Sequence, residues 1–319
     1  MYLYRLIINK QTKGSNYFFQ YGNTKDVSIT IFENAASIVK DFKKDYRNDL
    51  GQDSYLRNLF KEGMKRISLL HILCYQKPIK LKSIQLIITG PKDINEVYEL
   101  TDDFVLYSLI GDKLFRPVSP DWRNHEVLQN ILRFQKSKTD LARNVAALYS
   151  YLYSKTKTYE TERFSFLWMA MNGMYGALSP GQKNDRAQMC NLVKLFNLGT
   201  EVLTQKVRDD ICQKVFIKMK DIHGLVTKGS LGKEHKELED YILQHMPVDD
   251  KTNHPVDLSA YGFLLTDFSY YLRCRFFHAN RPVELFSFAD DLEIKVLRIV
   301  NGLLEEFLDE NLVKIFLNT

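Results

Sequence analysis

Residues 259–280, SAYGFLLTDFSYYLRCRFFHAN, carry the densest signal in the chain. Read as a helix from Ser259 to Phe277, the segment places Leu264, Phe268, Tyr271, Leu272 and Phe276 on one side, and Thr266, Ser269, Tyr270, Arg273 and Phe277 on the other. The first side is a core face and predicts a helix packed on other helices. The second is semi-apolar, so an arginine between Tyr270 and Phe277 suits a second buried surface, such as a contact between two copies, or a phosphate gripped by the guanidinium fork. His278 follows five residues after Arg273, just before Ala279, Asn280 and Pro282, where the helix is expected to end or turn.

Arginine and histidine together meet the needs of metal-independent phosphodiester cleavage: a fixed cation for the phosphate and a group that exchanges protons near neutral pH. In an unbroken helix a five-residue step turns the chain by about 140 degrees, so the two side chains would diverge. Either the helix ends before His278, or a second copy completes the site across a two-fold axis.

Working outward, the chain around this segment reads as helical from residue 126 onward. Candidates are 126–153, 162–178, 186–194, 200–223, 235–245, 259–277 and 283–316, with residues 221–255, rich in Gly, Lys, Glu, Asp and His, forming an excursion. Upstream, RPVSPDWRNH at 116–125 has two prolines and little apolar periodicity, which suits a linker. Before it, aromatic and β-branched runs at 2–9, 17–21, 27–32 and 83–89 predict strands, and 35–46 and 55–74 predict helices. The expected architecture is an α+β N-terminal domain with a small, mainly antiparallel sheet (residues 1–120), followed by an all-α helical bundle (residues 126–319).

Composition narrows the function classes. Residues 1–100 carry 16 Lys and Arg against 10 Asp and Glu, so the net charge of +5 comes from the N-terminal region, as a phosphate-attracting patch or as solvated lysines. The four cysteines, Cys74, Cys190, Cys212 and Cys274, form no Cys-x-x-Cys pair, and no secretory leader is read, which together point to a reducing cytoplasm. The longest uncharged run, 164–182, is broken by Asn172, Gly173, Gly176 and Pro180, so no membrane span is expected. Hydrolase elbows, phosphate-binding loops and zinc helices are absent, His71 and Cys74 lack further ligands, and the pairs Asp290-Asp291 and Glu305-Glu306 are read as solvent-facing. No cofactor or metal is expected.

The run Arg273-Cys274-Arg275-Phe276-Phe277-His278 resembles the Arg-x4-His motif of the HEPN superfamily, helical bundles of ribonuclease type. That family places a polar residue after the arginine and a small one after the histidine; Ala279 matches the second preference and Cys274 departs from the first. The helix around FSFLWMAMNGMY (164–175) resembles the long aromatic helix of such proteins, and 284–316 resembles their last long helix. Asn172 is read as a buried amide satisfied either by Arg273 and His278 or by neighbouring backbone. The resemblance implies an endoribonuclease that cuts single-stranded RNA by 2′-hydroxyl attack, with Arg273, His278 and Asn172 catalytic, and Tyr270, Cys274, Arg275, Phe277 and Asn280 in support or on a homodimer face. It also implies a toxin or antiviral effector whose N-terminal domain meets a trigger or antitoxin. A non-catalytic nucleotide- or partner-binding dimerisation module is the alternative. A second match to the motif, Arg66 to His71, sits inside an apolar helical run.

Overall fold

The computed structural model describes residues 1–10, 19–22, 28–32, 34–49, 51, 54–76, 79–100, 116–133, 139–178, 184, 188, 265, 268–278 and 291–317. The fold is mixed α+β, and the chain divides into two compact units, one of Met1–Val145 with Val313–Thr319 and one of Ala146–Leu312. The expected helices at 200–223 and 235–245, almost all of 186–194, and the excursion at 221–255 lie outside the described residues.

The first unit is built on a six-stranded antiparallel sheet of order β2-β3-β4-β1-β5-β6. Its strands are β1 (Tyr2–Lys10), β2 (Phe19–Gly22), β3 (Ser28–Ile31), β4 (Ala35–Phe42), β5 (Leu81–Gly90) and β6 (Ile94–Leu100). β1 lies at the centre because alternate residues Tyr4, Leu6 and Ile8 are wholly buried, and Ile84, Leu86 and Ile88 of β5 continue the same face. Helix α1 (Tyr55–Tyr75) connects β4 to β5 and packs on β3 and β4. Ser54 caps its start by accepting from the Arg57 amide at 3.2 Å, and Gln76, at φ 55°, ends it in the left-handed region.

Two readings are corrected in this unit. The stretch Ala35–Phe42, expected as part of a helix, is β4: Ala36, Ile38 and Phe42 are buried, and pairing with both β3 and β1 overrides the helical preference of its alanines and lysines. The segment 116–125, expected as a linker or domain boundary, is largely exposed but anchored by two buried side chains, Val118 and Trp122. Pro120–Arg123 forms a single 3-10 turn whose Trp122 is fully buried against Phe316, with ring centroids 6.2 Å apart. Asn124 then caps α2 (His125–Leu132) by accepting from the Glu126 amide at 2.9 Å, and α2 packs on α1. The two compact units divide after Val145, and the single helix expected at 126–153 is two, α2 and α3 (Thr139–Ser154).

In the second unit every element among the described residues is a helix: the C-terminal part of α3, α4 (Glu160–Leu178), α5 (Ser269–His278) and most of α6 (Asp291–Leu317). Leu297, Val300, Leu304, Phe307, Leu308 and Leu312 form the buried stripe of α6 at helical spacing. No helix among the described residues is long and apolar enough to cross a membrane.

Gly63 marks the closest approach of α1 to the sheet, since a Cβ built there would stand 2.5 Å from Ile38 Cδ1. Gly63→Leu is expected to lower unfolding stability by about 1–3 kcal/mol. Adding Ile38→Ala makes room, so in urea denaturation the double variant should lose less than the sum of the two single losses.

The turn after β4 is braced by charge. Tyr4 donates to Asp45 at 3.2 Å, the Arg47 side chain grips the same carboxylate, and Arg47 also pairs with Glu96 at 2.6 Å. The Arg47 guanidinium, helped by its own backbone amide, holds the Asp45 carboxyl down at about 2, against an ordinary 3.8. A carboxylate with a depressed pKa stabilises fully above its ordinary value and loses that contribution as pH falls toward the folded value. Asp45→Asn should therefore be less stable than wild type at pH 5, with the gap closing as urea titrations are taken down to pH 2.5.

Candidate functional site

α5 begins with a buried anchor. Phe268, Ser269 and Leu272 are buried, as is Leu265 just before them, whereas Tyr270, Tyr271, Arg273 and Cys274 are half-buried. The expected core face is corrected at two positions, because Ser269 is fully buried and Tyr271 is not. Phe268 and Tyr271 stack with centroids 6.4 Å apart, an arrangement that leaves Tyr271 at the edge of the core.

α5 packs on α4 through Tyr270, whose ring lies 6.1 Å from that of Trp168. Trp168 is itself held along α4 by Phe164, with centroids 6.5 Å apart, and by Tyr175 at 6.4 Å. One turn beyond Tyr270, the Arg273 guanidinium sits 5.9 Å from the Tyr270 ring centroid, within cation–π range. Its Nη1 donates to Cys274 Sγ at 3.9 Å, and Cys274 is a free thiol. His278 is the last residue of α5. The backbone of Arg275 and Phe277 belongs to α5, while Asn280 lies outside the described residues.

Asn172 corrects an expectation. It is exposed, so it is not a buried amide in need of partners. α4 buries one face, through Phe164, Leu167, Trp168, Met171, Met174 and Tyr175, and Met169 and Asn172 lie on the other. Asn172 is one turn beyond Trp168, on the helix that receives Tyr270.

The second match to the motif has a structural occupation. His71 is fully buried on α1 with its ring 4.7 Å from Tyr75, and Arg66 donates to the Leu132 carbonyl at 3.2 Å, tying α1 to the end of α2. Burial pushes the neighbouring Cys74 thiol up to about 12, so it is neutral at physiological pH and a poor nucleophile or ligand. Among the described residues no group of three or more His, Cys, Asp or Glu is placed to hold a metal ion.

The second unit also contains a polar network that sequence reasoning missed. Lys155, between α3 and α4, is buried; its ammonium pairs with Glu305 at 2.9 Å and lies 4.7 Å from the Tyr151 ring centroid. Glu305 also pairs with Arg163, whose Nη1 reaches Glu160 at 3.3 Å. Asn301 donates to the Glu160 carboxylate and carbonyl, each at 2.8 Å, and Tyr151 donates to Asp309. Burial, reinforced by Asp309, raises the Tyr151 hydroxyl well above its ordinary pKa and keeps it a donor. Glu305, read from sequence as solvent-facing, is thus the centre of a buried ionic cluster. The available sequence signal was the i, i+4, i+8 run of Asn301, Glu305 and Asp309 along α6.

These side chains meet one another's charge across α3, α4 and α6, an arrangement suited to holding helices in register. On α5, by contrast, a half-buried guanidinium stands beside an aromatic ring. No family model, curated protein or solved structure matches the chain.

Removing the Glu305 carboxylate leaves Lys155 and Arg163 buried with weaker compensation. Glu305→Ala is expected to cost about 3 kcal/mol of unfolding stability. Urea denaturation monitored by circular dichroism measures it, and a loss no larger than that of a surface ion pair would contradict the burial argument.

Proposed function

We propose that the second unit is a HEPN-like helical bundle and that the protein is a metal-independent endoribonuclease acting on single-stranded RNA as a homodimer. The observation that carries the reading is the placement of Arg273, half-buried and beside an aromatic ring; because α5 runs unbroken to His278, the two positions stand about 140 degrees apart around the helix and a second copy completes the site. A guanidinium so placed binds a phosphodiester through two oxygens at once.

In the proposed reaction the ribose 2′-hydroxyl attacks the adjacent phosphorus. A base takes the hydroxyl proton, the bond to the 5′ oxygen breaks, and an acid protonates that oxygen. The products are a 2′,3′-cyclic phosphate and a 5′-hydroxyl. His278 serves as base or acid, Arg273 stabilises the charge that builds on the phosphoryl oxygens, and two copies bring two such sets together. Asn172, exposed on the helix that carries Trp168, is available to a substrate rather than to the interior. A cytoplasmic toxin or antiviral role follows from the same resemblance, with the first unit as the part that meets a trigger or antitoxin.

One observation favours the alternative of a non-catalytic nucleotide- or partner-binding module. The residue after the arginine is Cys274, whose sulfur is a weak partner for the guanidinium at 3.9 Å, where the family places a stronger polar group.

The deciding experiment incubates pure protein with labelled single-stranded RNA in chelator and identifies the product ends. Cyclic phosphate and 5′-hydroxyl termini are expected, with a rate that depends on pH across the imidazole range. Arg273→Ala and His278→Ala should each slow cleavage by about 100-fold or more while helical content stays unchanged. Wild-type rates in both variants would overturn the site, and RNA bound but uncut would favour the binding module.

A further inference from the structure

We infer that Tyr270 is the positioning residue for the Arg273 guanidinium, acting as a relay between the buried Trp168 and the phosphate-binding group. The inference rests on the ribonuclease reading above and adds to it a residue that acts through another. Three observations carry it.

Trp168 is buried and clamped along α4 by Phe164 on one side and Tyr175 on the other, so its ring is a fixed reference point. Tyr270 carries the ring contact of α5 with that tryptophan. The guanidinium of Arg273, one turn on, then lies over the Tyr270 ring. An arginine side chain has many rotamers, and confining it before the substrate arrives removes an entropic cost from binding and from the transition state. The ring face does this through its quadrupole and its area, and neither depends on the tyrosine hydroxyl. Phenylalanine should therefore replace Tyr270, and alanine should not.

The test uses full-length protein and two probes: a labelled 2′-O-methyl oligonucleotide, which lacks the attacking hydroxyl and reports binding by anisotropy, and the matching RNA, which reports cleavage in chelator. Tyr270→Ala is expected to weaken oligonucleotide binding about threefold to tenfold, and Tyr270→Phe to stay within about twofold of wild type. Cleavage should follow the same order. In the Arg273→Ala background, Tyr270→Ala should have no further effect on binding, because the group it positions is gone. An equal loss in both backgrounds would show that Tyr270 serves the fold alone and would overturn the inference, as would a Tyr270→Ala protein that binds and cuts like wild type. Wild-type protein that neither binds the oligonucleotide nor cuts the RNA removes the ribonuclease reading and this inference together. Wild-type cleavage with an indifferent Tyr270→Ala removes the inference alone.

Discussion

The Lys155 ammonium is buried, and a buried charge is tolerated only where an opposite charge and further hydrogen bonds meet it. In the second unit that condition is met by Glu305, which faces Lys155 and Arg163 together. One turn to either side on α6, Asn301 meets Glu160 and Asp309 meets Tyr151. Three successive turns of one helix face thus each require a particular polar partner. A shift of α6 by one residue would rotate all three by about 100 degrees and leave the buried ions without counter-charges. Apolar packing alone tolerates such slips better, because one leucine contact resembles another. The ionic ladder is therefore what makes one register of α6 against the start of α4 much better than its neighbours.

The consequence reaches α5 through α4. Glu160 and Arg163 fix the first two turns of α4, and the positive end of the helix dipole favours the acidic residues Glu160 and Glu162 there. Trp168 follows within two turns of Arg163 and presents the surface on which Tyr270 lies. The position of Arg273 is thus set by a buried network that no substrate needs to touch. Stiff, buried contacts behind it are how a half-exposed cation is held still.

The sequence was legible where one periodicity dominates. Residues 55–74 and the apolar stripe after 291 announced helices, and the aromatic and β-branched runs at 2–9 and 83–89 announced the central strands. Reading failed where local preference and tertiary demand conflict. Ala35-Ala36 and the lysines that follow favour a helix in isolation, but the gap between β3 and β1 takes that segment as a strand. β6 went unread because INEVYEL exposes most of its side chains and shows no buried face. Trp122 was hidden in a proline-containing stretch whose packing partner, Phe316, lies far along the chain. In the candidate site, the amphipathic reading placed Arg273 correctly outside the core. Asn172 was misplaced because the apolar residues Phe166 and Met169 share its unburied face, so the run from Phe164 to Tyr175 does not show by itself which side is core. The ionic ladder could not be paired by inspection, since Lys155 and Glu305 are separated by most of the unit.

Cys274 gains meaning from this geometry. A carboxylate after Arg273 would orient the guanidinium more strongly than sulfur does, but it would also neutralise the charge on which the proposed phosphate binding depends. A tyrosine ring on one side and a thiol on the other are weak acceptors. They restrict where the guanidinium can lie without cancelling its charge. Cys274 is thus compatible with the proposed phosphate-binding role of Arg273, because on that proposal orientation comes from the Trp168 and Tyr270 rings and the thiol need contribute only a weak contact.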